Sequence, residues 1–309
     1  MPDKAPIALF VYKRLDTTRQ TVEALALNAE AQDSILYVFS DAARTGDDRD
    51  KVQAVRDYVH GIKGFKEVRV VENPVNKGLG ASIIDGTSRV VSGHGRVIVL
   101  EDDIIVSRYF LEYLNAALDL YENDQRVISV SAYMFPVSRP LPECFFLRWA
   151  DNLGWGTWKR GWDLFEPDGA KLLKELDESK EARAFDFDGA FNYREMLQDQ
   201  VKGKINSWAI RWCASAFLNN KMTLYPGTPL VKHIGYGEDA SNTLRTDPQE
   251  IGVLDPKEVR IRAKAMPVIQ DEVARQIIRE YFLRIPKNAF ERVIFKCRSL
   301  FKIKKGLVQ

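Results

Sequence analysis

Residues 96–110 read R-V-I-V-L-E-D-D-I-I-V-S-R-Y-F, and this stretch constrains the chain more than any other. Its apolar run, residues 97–100, is rich in β-branched side chains. That is the pattern of a strand buried on both faces, which needs helices on either side of its sheet. Glu101, Asp102 and Asp103 follow without a break. Three adjacent acids at the end of a buried strand repel one another and lose hydration unless a cation or hydrogen-bond donors compensate them. The end of such a strand in an open α/β sheet is also where ligands bind. A hard divalent ion that bridges a carboxylate to substrate phosphates meets both conditions. An Asp-Asp pair taken alone is more often a solvated turn; the buried strand ahead of it shifts the balance toward a metal.

The same unit repeats upstream. Apolar runs at 6–12, 34–39 and 68–72 alternate with helical spacing at 18–28, 50–62 and 81–91. Short β-α connections of this kind predict a mostly parallel, doubly wound sheet. Each run ends in polar residues: Lys13-Arg14-Leu15-Asp16, then Asp41, then Asn76-Lys77-Gly78, then the acid triplet. Strand ends on one edge converge on one crevice. That crevice would hold cations at Arg14 and Lys77, a hydrogen-bonding acid at Asp41, and the three carboxylates, a mixture suited to a nucleoside diphosphate with its metal. Neither G-x-G-x-x-G after the first strand nor G-x-x-x-x-G-K-[ST] is present, which argues against a dinucleotide fold and a P-loop.

Downstream, an amphipathic helix is expected at 107–121, a strand at 127–131, an exposed charged helix at 171–184, and a helix at 207–218. All six tryptophans fall between residues 149 and 212, four of them in F-F-L-R-W-A-D-N-L-G-W-G-T-W-K-R-G-W-D and two in its companion S-W-A-I-R-W. Tryptophan beside glycine can form a rigid wall, as in carbohydrate sites, or an aromatic core under a loop.

With 45% hydrophobic and 28% charged residues the composition is that of a soluble globular protein. The net charge is only +2, yet residues 284–309 carry eight Lys or Arg against the single acid Glu291. The tail over 286–309 is thus expected to be a basic amphipathic helix, either a solvated end or one lying on an anionic membrane surface. Nucleic acid fits poorly because the body is mildly acidic. Cys144, Cys213 and Cys297 are scattered and odd in number, against a disulfide framework and for a reducing compartment. No run reaches the length of a membrane span, so a cytoplasmic protein, peripheral on the inner face of a membrane if the tail binds there, is expected.

The order of these pieces resembles the GT-A fold of nucleotide-sugar glycosyltransferases. Within that class it looks most like bacterial family-two-type sugar transferases and the N-acetylglucosaminyltransferase that begins N-glycan branching. The resemblance covers residues 5–243. It implies a GT-A domain over 1–245, followed by a connecting segment and C-terminal helices over 246–309.

Four motifs carry it: V-I-V-L-E-D-D at 97–103, N-L-G-W-G-T-W at 152–158, I-N-S ahead of Arg211-Trp212, and V-K-H-I-G with His233. By resemblance, Asp103 and His233 would ligate Mn2+ or Mg2+, while Asp102 or Glu101 would reach the ribose or a metal-bound water. Phe10, Val11, Tyr12, Arg14 and Asp41 would hold the nucleoside, and Asn76, Lys77 and Gly78 would close over base or phosphate. Trp155, Gly156 and Arg211 would line the donor site.

The implied activity is inverting transfer of a hexosyl or N-acetylhexosaminyl group from a nucleoside diphosphate, UDP by resemblance, to a glycan or lipid-linked acceptor in surface polysaccharide synthesis. One departure stands out. Where the class places the carboxylate that takes the acceptor's proton, this chain has Asn206, and an amide cannot act as that base. Three readings stay open: a different register, another acid such as Asp239, Glu238 or Asp151 as the base, or a donor-binding or scaffold relative without turnover. A sugar nucleotidyltransferase is the other alternative, but it would want a glycine-rich basic loop where Tyr12-Lys13-Arg14-Leu15 stands.

Overall fold

The computed structural model describes residues 4–235 and 258–284 of the 309. The first half alternates strand and helix: β1 (Ile7–Val11), α1 (Leu15–Ala26), β2 (Ile35–Ser40), α2 (Arg49–His60), β3 (Glu67–Glu72), α3 (Leu79–His94), β4 (Arg96–Glu101). Next come β5 (Ile104–Val106), α4 (Phe110–Leu120), β6 (Val127–Ser131), β7 (Cys144–Leu147) and β8 (Trp155–Trp158). Helices α5 (Lys159–Trp162), α6 (Gly169–Ser179), α7 (Ala182–Phe185), α8 (Tyr193–Val201) and α9 (Trp208–Leu218) follow. Strands β9 (Met222–Pro226) and β10 (Val231–His233) and helix α10 (Glu272–Arg284) complete the described elements.

Eight strands form one mixed sheet in the order β3-β2-β1-β4-β8-β6-β9-β7. The pairs β3-β2, β2-β1, β1-β4 and β6-β9 are parallel, whereas β8 and β7 run against their neighbours. This is the mostly parallel α/β sheet flanked by helices that the sequence predicts. The chain winds outward from β1 to β3 and then returns to the other side of β1 as β4. The order therefore reverses between β1 and β4, and a crevice opens beyond their carboxyl ends.

Alternation along the strands builds the layers. Ile7, Leu9 and Val11 of β1, with Ile98 and Leu100 of β4, face a core shared with α1, α2 and α4. Ala8, Phe10, Val97 and Val99 face the opposite core, shared with α3 and α9. Helix α3 comes so close that a Cβ on Gly86 would lie 2.6 Å from the Phe10 ring. A second lobe gathers β7, β9 and helices α6 to α10 around Phe185, Tyr225 and Phe282.

Several expected features differ. The helix expected at 171–184 is two, α6 and α7, because Lys180 takes a left-handed turn at φ 59°. The N-L-G-W-G-T-W loop ends in strand β8, inserted antiparallel between β4 and β6. Residues 258–271 do not trail away from the body: Ile261 and Val268 join its core, and Tyr121 Oη donates to Lys264 O at 3.0 Å. No helix among the described residues is long and apolar enough to cross a membrane. The basic tail at 286–309 and the acids Glu238 and Asp239 lie outside the described residues.

Candidate metal and diphosphate site

The register pairs Phe10 with Glu101, so the residues just past β1 and β4 face one another at the reversal point. Arg14, which opens α1, reaches across. Its Nη2 donates to Asp102 Oδ1 at 2.5 Å and to Asp103 Oδ2 at 2.7 Å. Tyr12 N donates to the other oxygen of Asp102 at 3.3 Å. His233 arrives from far along the chain. Strand β10 pairs antiparallel with β5, His233 opposite Ile104, and Ile234 N donates to Asp103 O at 2.8 Å. That ladder sets His233 Nε2 3.2 Å from Asp103 Oδ2.

Burial sets the electrostatics. Asp102 and Asp103 are only 4% and 5% exposed. Burial pushes Asp102 up to about 6 against the pull of Arg14. Burial and the charges of Asp103 and Asp102 push Glu101 up to about 8. Burial also works against ionised Asp103, but His233 and Arg14 outweigh it and hold the group below the usual carboxylate range. Arg14 is held well above its ordinary value by the two aspartates despite its own desolvation.

The donors present fit a divalent ion. Asp103 Oδ1 is buried and has no hydrogen-bond partner among the described residues. A carboxylate with one unused oxygen, its other oxygen 3.2 Å from an imidazole nitrogen, suits Mn2+ or Mg2+. No group of three ligating side chains occurs among the described residues, which leaves positions on the ion for water or for phosphate oxygens of a ligand.

The remaining expected residues divide. Asp41 is buried and consumed by its neighbours: it accepts from Ala42 N, Asn73 Nδ2, Lys77 N and Gly78 N at 2.9–3.2 Å. It braces the Asn76-Lys77-Gly78 loop to β2, with Asn76 Nδ2 donating to Ala42 O at 2.7 Å. Both of its carboxylate oxygens are thus engaged within the chain. Lys77 Nζ pairs with Asp85 at 2.9 Å on the surface.

Trp155 also departs from expectation. Its ring is 0% exposed and packs against Trp162, Trp208 and Trp212 with centroids 5.5–5.8 Å away. Gly156 is buried beneath Leu118, where a Cβ would lie 3.2 Å from Leu118 Cδ1. Neither lines an open site, because β8 is an interior strand. Phe10 and Val11 likewise send their side chains into the two cores, so only their backbone reaches the crevice.

Asn206 is exposed just ahead of Ser207, which caps α9 by accepting from Ile210 N at 3.3 Å. A Cβ on Gly80 would lie 3.5 Å from Asn206 Oδ1 and 3.9 Å from Arg211 Nη2, so α3 and α9 begin side by side. Arg211 is half-buried, donates to Pro167 O at 2.9 Å, and is lowered by desolvation.

Asp151 is buried in the crossing that leads into β8 and accepts from Asn152 N and Leu153 N at 2.7 and 3.2 Å. Burial pushes its carboxyl from 3.8 up to about 6. The folded protein therefore keeps this proton at a pH where the unfolded chain has released it. The stability so gained is full at low pH and is lost as pH rises through about 6, leaving a cost of roughly 3 kcal/mol near neutrality. Asp151→Asn is expected to raise unfolding free energy by about that amount at pH 8 and by nearly nothing at pH 4. Urea titrations at the two pH values check this, and an effect equal at both would refute it.

Two contributors escaped the sequence. Asp48 accepts from Tyr12 Oη at 2.9 Å and Lys13 Nζ at 2.8 Å, tying the loop after β2 onto the end of β1. Gly235 lies against the acidic pair, where a Cβ would stand 2.0 Å from Asp103 Oδ2 and 2.8 Å from Arg14 Nη1. The G-Y-G after His233 was its only signal. Gly235→Ala is expected to weaken metal-dependent diphosphate binding by at least about tenfold, a loss typical when a ligand's support is disturbed. Its thermal midpoint should fall as well, because the added Cβ must push aside a buried carboxylate and its arginine. Titration calorimetry beside a melt separates the two effects.

No protein-family model and no curated protein matches the chain. Among solved structures it aligns with mannosyltransferase PcManGT from Pyrobaculum calidifontis in complex with GDP-Man and Mn2+, at 16% identity and a TM-score of 0.34, covering 43% of this chain and 36% of that one. It aligns with S. aureus TarS at 14% identity and TM-score 0.32, covering 45% and 23%. A third alignment is with glucosyl-3-phosphoglycerate synthase from Mycobacterium tuberculosis in complex with Mn2+, UDP and glucosyl-3-phosphoglycerate, at 13% identity and TM-score 0.34, covering 57% and 66%. The chain spans less than two thirds of the length of each.

Proposed function

We propose that this chain is a GT-A-type glycosyltransferase that binds a nucleoside-diphosphate sugar, with UDP as the expected nucleotide, through a divalent ion, Mn2+ or Mg2+. The observation that supports it most is the meeting of Arg14, Asp102, Asp103 and His233 at the reversal point of the sheet, with Asp103 Oδ1 unpartnered among the described residues. Asp103 and His233 would hold the ion. When bound, the ion supplies charge neutralisation to the departing diphosphate. Arg14 keeps a positive charge at the same place, and Asp41 fixes the loop that carries Lys77. An inverting transfer to a glycan or lipid-linked acceptor of a surface-polysaccharide pathway completes the reading, with the basic tail as a contact to an anionic membrane.

The proton of the acceptor hydroxyl needs a base. Asn206 cannot take it, and Asp151 is 7% exposed. The amide at 206 favours a second reading, a donor-binding relative without turnover. Calorimetric titration of a panel of nucleoside diphosphates, with and without manganese, tests the shared part of both readings. Manganese-dependent binding of one nucleotide is expected; no binding to any would remove them. Turnover that appears only in Asn206→Asp would select the second.

A further inference from the structure

We infer that Arg14 is the resident counter-cation of the acidic site and competes with the divalent ion for it, so that the ion enters tightly only together with an anionic diphosphate. The competition is argued from geometry; the diphosphate rests on the function proposed above. The Asp103 oxygen nearest His233 is Oδ2, 3.2 Å from Nε2, so an ion shared by these two side chains sits against Oδ2 even where Oδ1 also ligates it. Asp103 Oδ2 already accepts from Arg14 Nη2 at 2.7 Å, while the same nitrogen holds Asp102 Oδ1 at 2.5 Å.

Arg14 has little room to step aside. Gly235 lies against it so closely that a Cβ there would fall 2.8 Å from Nη1. The arginine side chain is itself only 22% exposed, and the two carboxylates are 6% and 7% exposed. In a site this dry, a divalent ion and a guanidinium a few ångströms apart repel far more than they would in water. Two aspartates balance the charge of one arginine and leave a deficit of about one charge; adding the ion with Arg14 still present overshoots it. The negative charge of a diphosphate restores the balance. Arg14 thereby holds the acid pair and makes the site selective: a free metal ion meets a guanidinium already on Asp103 Oδ2, and only the metal-diphosphate pair offers Arg14 a replacement for the carboxylates.

Manganese titrated alone into the wild type, Arg14→Gln and Arg14→Lys tests this, read by calorimetry and by the electron paramagnetic resonance of free manganese. Wild type is expected to bind the ion weakly alone and at least about tenfold more tightly with UDP present. Arg14→Gln should bind manganese alone at least about tenfold more tightly than wild type and lose most of the nucleotide dependence, whereas Arg14→Lys, which keeps the charge, should stay within about threefold of wild type. Equal or weaker binding by Arg14→Gln overturns the inference. If that variant is unfolded without metal, manganese must restore its melting transition, and failure to do so overturns it as well. A metal-only difference between the variants with no nucleotide binding in any of them would sink the glycosyltransferase reading and leave the competition standing. A normal UDP-manganese response with no effect of Arg14 would do the reverse.

Discussion

Asp103→Ala is expected to weaken manganese-dependent binding of a nucleoside diphosphate by roughly a hundredfold or more, about 3 kcal/mol, and to remove any transfer activity with it. Asp103 carries the buried unpartnered oxygen and stands beside His233, so no other described side chain can replace it. The fold should survive. Arg14 keeps its contact with Asp102 at 2.5 Å, and loss of the Asp103 charge relieves Glu101, whose proton is held up to about 8 partly by that neighbour. Calorimetry on the variant, with a thermal melt beside it, reads both effects. A variant that binds nucleotide with manganese as well as the wild type does would return the acid triplet to the status of a turn.

Asp41→Ala is expected to cost about 3–5 kcal/mol of stability, because it strands several buried donors at once. Four groups converge on this carboxylate: Ala42 N, Asn73 Nδ2, Lys77 N and Gly78 N. Successive N–H groups can turn toward one anion only where the backbone curls, and Gly78 supplies that curl at φ 76°, a region glycine enters without strain. The loss should appear in denaturant unfolding and, separately, as weaker diphosphate binding, since the loop bearing Asn76 and Lys77 is no longer tied to β2. Asp41→Asn keeps one acceptor oxygen and should fall between alanine and wild type. A wild-type unfolding midpoint for Asp41→Ala would show that the loop is held by something else.

The acidic cluster was legible because its signal is local. A β-branched run that ends in three acids describes both a strand buried on two faces and a charged crevice edge, and the upstream repeats of strand and helix predict a parallel sheet. Helix α9 follows from spacing within a few turns. Strand β8 was not legible in the same way. Its Trp-Gly-Thr-Trp is short and broken by a glycine, and it becomes a strand where β4 and β6 offer it two edges and Leu118 of α4 crowds Gly156.

What the sequence determined by itself, then, is what depends on neighbours along the chain: the α/β alternation, and the placing of Arg14, Asp41 and the acids at strand ends. Only the tertiary structure decided which of these meet. Arg14 and Asp102 lie 88 residues apart, and Asp103 and His233 lie 130 apart. Their contact depends on the crossover between β1 and β4 and on the β5-β10 ladder, not on any local pattern. The same holds for the tryptophans. Spacing marks Trp155, Trp162, Trp208 and Trp212 as aromatic, but only the packing of α5 and α9 on the sheet turns them into one buried cluster instead of the wall of a pocket. Burial is a property of how layers stack, and a side chain carries no record of it until those layers are in place.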